Sequence, residues 1–298
     1  MLPPLIETRD LAQRLATEAG RQKTRVVDAT YFVPPSDKNA LAEFEVRHIP
    51  SAVFFDIDTV KDPTSLLPHM LPEADAFGEA VGALGIGNEH DVVVYDQHGI
   101  FSAPRVWWMF RVFGHENVAV LNGGLPQWLS ENRELGYGQP AVTPATFSAT
   151  LQPRLVADVR DLQAVLTGKQ PGRIVDMRGE GRFEGTQPEP RQGIPSGHMP
   201  GAVNLPWNRF VDPATHRMKT SAALRDILSA ASAGSDTPIL CTCGSGVTAC
   251  MAAFALHLTG EDNWSVYDGS WAEWATRHAD DPEAFPIEAR KPTTPTAF

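Results

Sequence analysis

Cysteine is scarce in this chain: there are three in 298 residues, at positions 241, 243 and 250. Three thiols within ten positions cannot staple a fold of this length, so no disulfide framework is expected, and a reducing compartment, the cytoplasm, is. Cys241 and Cys243 are one residue apart with no second Cys or His pair nearby. That fits no common zinc spacing, so neither a metal site nor a cofactor is expected. Long apolar runs are missing too; none reaches the ~20 residues that a membrane span needs. The first residues, Met1-Leu2-Pro3-Pro4-Leu5-Ile6-Glu7, carry neither the basic start nor the apolar core of a secretion signal. Positive charge is in short supply, with 25 Lys and Arg against 36 Asp and Glu for a net charge of −11. Such a surface argues against nucleic-acid or anionic-membrane partners, while leaving room for a local basic pocket. What the chain does have is 42% hydrophobic residues, enough for one large or two ordinary cores.

The stretch Cys241-Thr242-Cys243-Gly244-Ser245-Gly246-Val247-Thr248-Ala249-Cys250 carries the strongest chemical signal. Thr237 to Leu240 reads as a buried strand, and Val247 to Leu258 as a helix, so Cys243 lies where a strand bends into a helix. Two glycines let the bend turn its N–H groups inward, where they join the unpaired N–H groups of the helix's first turn. A thiolate is the form of Cys243 that such a cup stabilises, and Cys243 is the expected nucleophile. Cys241 and Cys250 read as small buried hydrophobes. A cysteine phosphatase loop would need an arginine six positions after the nucleophile. Ala249 stands there, so phosphoryl substrates are disfavoured.

The chain repeats itself. Val26-Val27-Asp28 is answered by Ile174-Val175-Asp176, His48-Ile49-Pro50 by His198-Met199-Pro200, Asn122-Gly123-Gly124 by Asp268-Gly269-Ser270, and Trp128 by Trp274, at offsets of 146 to 150 residues. Four landmarks at nearly one offset read as two copies of one domain. The expected division is 1–138, a linker over 139–153 rich in Pro, Ala and Thr, and 154–298. Strands alternating with helices predict an α/β fold, two tandem domains each with a parallel sheet flanked by helices. Functional loops in such sheets lie beyond the carboxyl ends of strands, where Cys243 is expected. Asp96 aligns with Cys243, so only the second copy can perform thiol chemistry. His48 and His198, like Asp28 and Asp176, recur in both copies and so read as structural. Arg105 is left open between lining the cleft and pairing with Asp96. Asp268, Gly269 and Ser270, at a strand end, are candidates to border the site. The tail from Pro286 reads as loose.

Four segments carry a resemblance: Cys243-Gly244-Ser245-Gly246-Val247-Thr248, Gly181 to Arg191, Tyr267-Asp268-Gly269-Ser270-Trp271, and Ser102 to Phe110. On these the chain resembles the tandem-domain rhodanese family of sulfurtransferases over nearly its whole length, and within it the members acting on 3-mercaptopyruvate. The resemblance implies a persulfide on Cys243, passed to a thiol such as thioredoxin or to cyanide, with pyruvate released. It implies that Arg182 and Arg191 hold the substrate's carboxylate and carbonyl. Read alone, two arginines in a Gly- and Pro-rich loop serve as readily in surface ion pairs. Gly244, Gly246, Val247 and Thr248 would cradle the sulfur. Ser245, His69 and Asp58 match a set proposed for proton handling in the family, which would require the first copy to reach across to the second. Members preferring thiosulfate typically carry Arg and Lys where this chain has Gly244 and Ser245, and a neutral loop favours a dianion less. Thiosulfate:cyanide transfer and non-catalytic persulfide carriage stay open as alternatives.

Overall fold

The computed structural model describes residues 2–231 and 237–290. Among these, ten short strands form two parallel five-stranded sheets. The first contains β1 (Leu5–Ile6), β2 (Thr24–Asp28), β3 (Ala52–Phe54), β4 (Asp91–Tyr95) and β5 (Val118–Leu121), in the order β1-β5-β4-β2-β3. The second contains β6 (Val156–Ala157), β7 (Arg173–Asp176), β8 (Val203–Asn204), β9 (Ile239–Thr242) and β10 (Trp264–Tyr267), in the order β6-β10-β9-β7-β8. The two orders are the same arrangement shifted by five strands, so the repeat in the sequence is a repeat in topology. The inner strands β4 and β9 are buried throughout, as strands covered by helices on both faces must be.

Two helices place the site. Ala103–Val112 follows Asp96, and Ala249–Thr259 follows Cys243. Both are apolar nearly all round and pack against each other, with Trp107 edge-on to Phe254 at 4.9 Å between ring centroids. A helix without a polar face is stable only when enclosed, and here each copy encloses the other's. The contact sets the two strand-to-helix turns side by side. The second helix begins two residues later than expected, because Val247 and Thr248 belong to the turn. The strand before it runs on to Thr242, which puts Cys241 inside the sheet.

The paired landmarks do in both copies what their recurrence suggested. His48 stacks on Phe44 and its Nδ1 lies 2.9 Å from the Phe44 carbonyl; His198 stacks on Phe183 with the same contact at 2.8 Å. Asp28 accepts from the Thr30 N–H and Asp176 from the Arg178 N–H, each at 2.9 Å, tying down the chain beyond its strand.

The segment between the copies is not slack. The Ala145 N–H donates to the Gly82 carbonyl at 2.9 Å, and those of Thr150 and Gln152 donate to Phe113 and Val112 at 3.0 and 2.7 Å. A Cβ at Gly78 would come within 2.6 Å of the Phe147 carbonyl oxygen, so the strap lies on the helix Ala74–Ala83 only because glycine faces it. Phe147 is buried among Phe77, Phe110 and His115. The composition of the strap hid this, since one aromatic anchors a stretch otherwise dominated by Pro, Ala and Thr. The tail expected to be loose from Pro286 is bridged at Glu288 to His198, while residues 291–298 lie outside the described residues.

Phe147→Ala is expected to cost about 3–5 kcal/mol in urea unfolding, the range for emptying a buried aromatic position. A free linker would give a change within about 0.5 kcal/mol.

Candidate active site

Cys243 stands directly beyond β9, 2% exposed. Its N–H donates to Ser270 Oγ at 3.2 Å, its carbonyl accepts from the Trp271 N–H at 3.0 Å, and the Gly244 carbonyl accepts from the Ala272 N–H at 3.0 Å. The turn's first two carbonyls are thus taken up by the start of the helix Ser270–Asp280. Gly246 has φ +79°, and a Cβ there would meet the Asp268 carbonyl at 2.9 Å, so only glycine makes the bend. Among the described residues, the N–H groups of Gly244, Ser245, Gly246, Val247 and Thr248 donate to no protein acceptor.

The first copy shows what such a turn holds. Asp96 stands directly beyond β4, and its Oδ2 accepts from the N–H groups of Phe101, Ser102 and Ala103 at 2.7, 2.9 and 2.8 Å. Its Oδ1 accepts from His98 N–H at 2.9 Å. The inert copy therefore fills its own anion cup. Arg105 does not pair with Asp96; its guanidinium bonds Asp268 Oδ1 at 2.6 Å.

Cys243 opens into a cleft of about 300 Å³ walled by both copies. Arg182 reaches it with Nε 3.1 Å from Glu189 Oε2, and its Nη2 lies where a Cβ on Gly244 would come within 2.6 Å. Glu189 also accepts from Arg178 at 2.7 Å, while Arg178, enclosed, grips Asp176 and lies 4.1 Å over the Trp271 ring. Arg191 has no carboxylate within ion-pairing distance among the described residues; its Nη2 lies 3.3 Å from His69 Nε2.

His69 is 2% exposed with φ +59°. Arginine can only donate, so Nε2 accepts and the ring proton sits on Nδ1. Nδ1 lies 3.3 Å from Asp58 Oδ1, without hydrogen-bond alignment. Burial first, then the charges of Arg105, Arg191 and Lys61, hold the imidazole's pKa down to about 3. Ser245 lines the cleft, but no hydrogen bond joins it to His69. The structure gathers Asp58, His69 and Arg191 into one chain of contacts and leaves Ser245 apart from it. Burial pushes the thiols of Cys241 and Cys250 up, as befits core residues.

Reading from sequence missed Tyr31, Phe101, Trp207 and Glu189. Tyr31 lines the cleft from the first copy, its ring edge-on to His69 at 5.0 Å, and burial raises its hydroxyl to about 12. Phe101 meets Trp207 across the copies at 4.9 Å. Glu189 lay inside a quoted segment, where an acid between two arginines was the available sign.

The rhodanese-like domain matches this chain twice, over residues 11–131 and 158–277. The chain belongs to the rhodanese family. Human 3-mercaptopyruvate sulfurtransferase is 42% identical over 275 residues, 92% of each chain. Rat thiosulfate sulfurtransferase is also 42% identical, over 276 residues and again 92% of each. Among solved structures, the Escherichia coli 3-mercaptopyruvate sulfurtransferase SseA is 35% identical with a TM-score of 0.81, covering 91% of this chain and 99% of its own. The Tum1 protein of Saccharomyces cerevisiae is 31% identical at a TM-score of 0.85, covering 97% and 100%. This rhodanese is accordingly a sulfurtransferase, and among its described residues no helix is long and apolar enough to cross a membrane.

The depressed pKa of His69 has a signed consequence. Between its unfolded value near 6.5 and about 3, the unfolded chain binds a proton there that the folded chain does not. The neutral ring contributes stability that is complete above that window and lost as pH falls through it. The stability advantage of wild type over His69→Gln in urea is expected to shrink from pH 7.5 to pH 5. The His69 ring resonances should not titrate between pH 5 and 8.

Proposed function

We propose that this rhodanese moves the sulfur of 3-mercaptopyruvate to an acceptor thiol through a persulfide on Cys243. The carrying observation is Asp96. A carboxylate oxygen lies two bonds beyond Cβ and bears negative charge, as does the outer sulfur of a cysteine persulfide. Three N–H groups converge on that oxygen in the first copy. The matching turn around Cys243 has five N–H groups without a protein acceptor among the described residues, and a plain cysteine side chain ends one atom sooner. Preorganised donors of this kind stabilise charge that appears during a reaction.

The Cys243 thiolate attacks the thiol sulfur of the substrate, forming the S–S bond. The C–S bond breaks and its electron pair leaves with carbon as the pyruvate enolate. The proton carried over on the persulfide's outer sulfur passes to the enolate carbon, giving pyruvate and a persulfide anion in the cup. In this reading the Ser245 hydroxyl, which lines the cleft with Cys243, relays it. An acceptor thiolate, thioredoxin or another thiol, then takes the outer sulfur and restores the Cys243 thiolate.

Arg191 and Arg182 receive the carboxylate and carbonyl, with unequal parts. Glu189 already engages Arg182, whereas Arg191 rests on a neutral histidine and keeps its charge for the ligand. Asp58 and His69 act in this reading by orienting Arg191. Gly244 belongs to the same design, because any side chain there would push against Arg182. That favours 3-mercaptopyruvate over thiosulfate, the second reading, which the rat relative's equal identity keeps in view. We place the protein in the cytoplasm, on its cysteine usage, although one Arabidopsis relative is named mitochondrial.

Mixed with 3-mercaptopyruvate and no acceptor, the protein should release about one pyruvate per chain in a burst and gain the mass of one sulfur on Cys243. Cys243→Ser should do neither. Arg191→Ala should raise KM for 3-mercaptopyruvate about tenfold or more, the worth of a charged hydrogen bond. A faster steady-state rate with thiosulfate than with 3-mercaptopyruvate would move the assignment to the second reading.

A further inference from the structure

We infer that the buried Arg105–Asp268 pair is a positioning element through which the inert copy sets the geometry of the Cys243 turn and of His69 together. Arg105 lies in the first turn of the helix Ala103–Val112, fully enclosed, with its guanidinium 4.6 Å over the Trp108 ring. Nη1 donates to Asp268 Oδ1 at 2.6 Å and, more weakly, to the Gly246 carbonyl at 3.4 Å, while Nη2 donates to the His69 carbonyl. Asp268, 3% exposed, uses its other oxygen to accept the Leu71 N–H at 2.7 Å. Two side chains thus bind the backbone at Gly246, on one side of the cleft, and at His69 and Leu71 on the other.

Two of these places need holding by their surroundings. Gly246 and His69 both sit in the left-handed region, at φ +79° and +59°. For a histidine that conformation costs energy and persists only where its surroundings impose it. Here the imposition comes from the carbonyl bond of Arg105 and, two residues on, from Asp268. The same aspartate stands two residues before Ser270, whose Oγ accepts the Cys243 N–H, and three before Trp271, whose N–H holds the Cys243 carbonyl. Only a planar fork reaches the Gly246 and His69 carbonyls and the carboxylate at once, so lysine cannot replace Arg105. The contacts run to main-chain atoms flanking the nucleophile and His69, which is what a positioning role requires and a simple interdomain tie does not.

The inference rests on Cys243 being the persulfide-forming nucleophile, and the pyruvate burst separates the two. Burst amplitude counts chains that can react; burst rate at saturating 3-mercaptopyruvate reports the geometry of each. Arg105→Lys and Asp268→Asn should keep an amplitude near one per folded chain and lower the rate about tenfold or more, the scale of a small misplacement. Free guanidinium ion at millimolar concentration should restore part of the rate in Arg105→Ala and none in Asp268→Asn. Asp268→Asn keeps shape and an acceptor for Leu71, so it carries the test where Arg105→Ala does not fold. Wild-type rates in both conservative variants, or a loss of amplitude with the rate per reacting chain unchanged, would overturn the positioning role while leaving the nucleophile in place. A wild type without any burst would overturn the reading of Cys243, and this one with it.

Discussion

Backbone N–H groups closing on one atom at the end of a parallel strand are the constraint on which the rest of this structure depends. Such donors, turned inward and away from water, carry a cost unless something negative receives them. The first copy receives them permanently with Asp96, through four hydrogen bonds between 2.7 and 2.9 Å. The second sets Cys243 at the same point. One turn is a finished internal contact and the other an unfinished one, and the chemistry we propose consists in finishing it with sulfur.

Charge is arranged around that turn with the same economy. The chain is acidic overall, yet three arginines border the cleft, so the field near Cys243 opposes that of the surface. They are not equivalent. Arg178 is saturated by Asp176, Glu189 and the Gly197 carbonyl, which makes it a structural post that also anchors Glu189. Arg182 shares Glu189 and is thereby fixed over Gly244. Arg191 is steadied by His69, whose burial among other cations keeps it neutral. A guanidinium oriented by a neutral partner is held in place without being neutralised, and an anionic substrate requires that combination.

What could be read from the sequence was whatever depends on short-range pattern. The turn at Cys243 announced itself through two glycines between an apolar strand and an apolar helix, and the repeat through landmarks at one spacing. The repeat also exposed His48 and His198 as structural, because a residue doing the same thing in an active and an inert copy is not doing chemistry. Contacts made by long side chains between distant loops were hidden. Arg105 looked able to reach Asp96, nine residues away, but that acid was already spent on its own turn, and the guanidinium crossed to Asp268 instead. His69 matched a position in a set with Ser245 and Asp58, and its accepting nitrogen faces Arg191. In each case the partner depended on which competitor had already been satisfied.

That order of satisfaction also accounts for an inert copy. A turn closed on its own carboxylate is rigid, so the helix that follows it can serve as a fixed wall, and Ala103–Val112 does so against Ala249–Thr259. From loops of the same copy come Tyr31, Val33 and Phe101, which wall a cleft that the second copy alone would leave open to water, and behind them stand Arg105, on that helix, and His69. A second cysteine at position 96 would give up this rigidity, because a thiol ends short of the donors that Asp96 reaches. The open turn and the filled turn are therefore complementary halves: the acid holds its own frame still, while in the proposed cycle the thiol of the other turn gains and loses one sulfur.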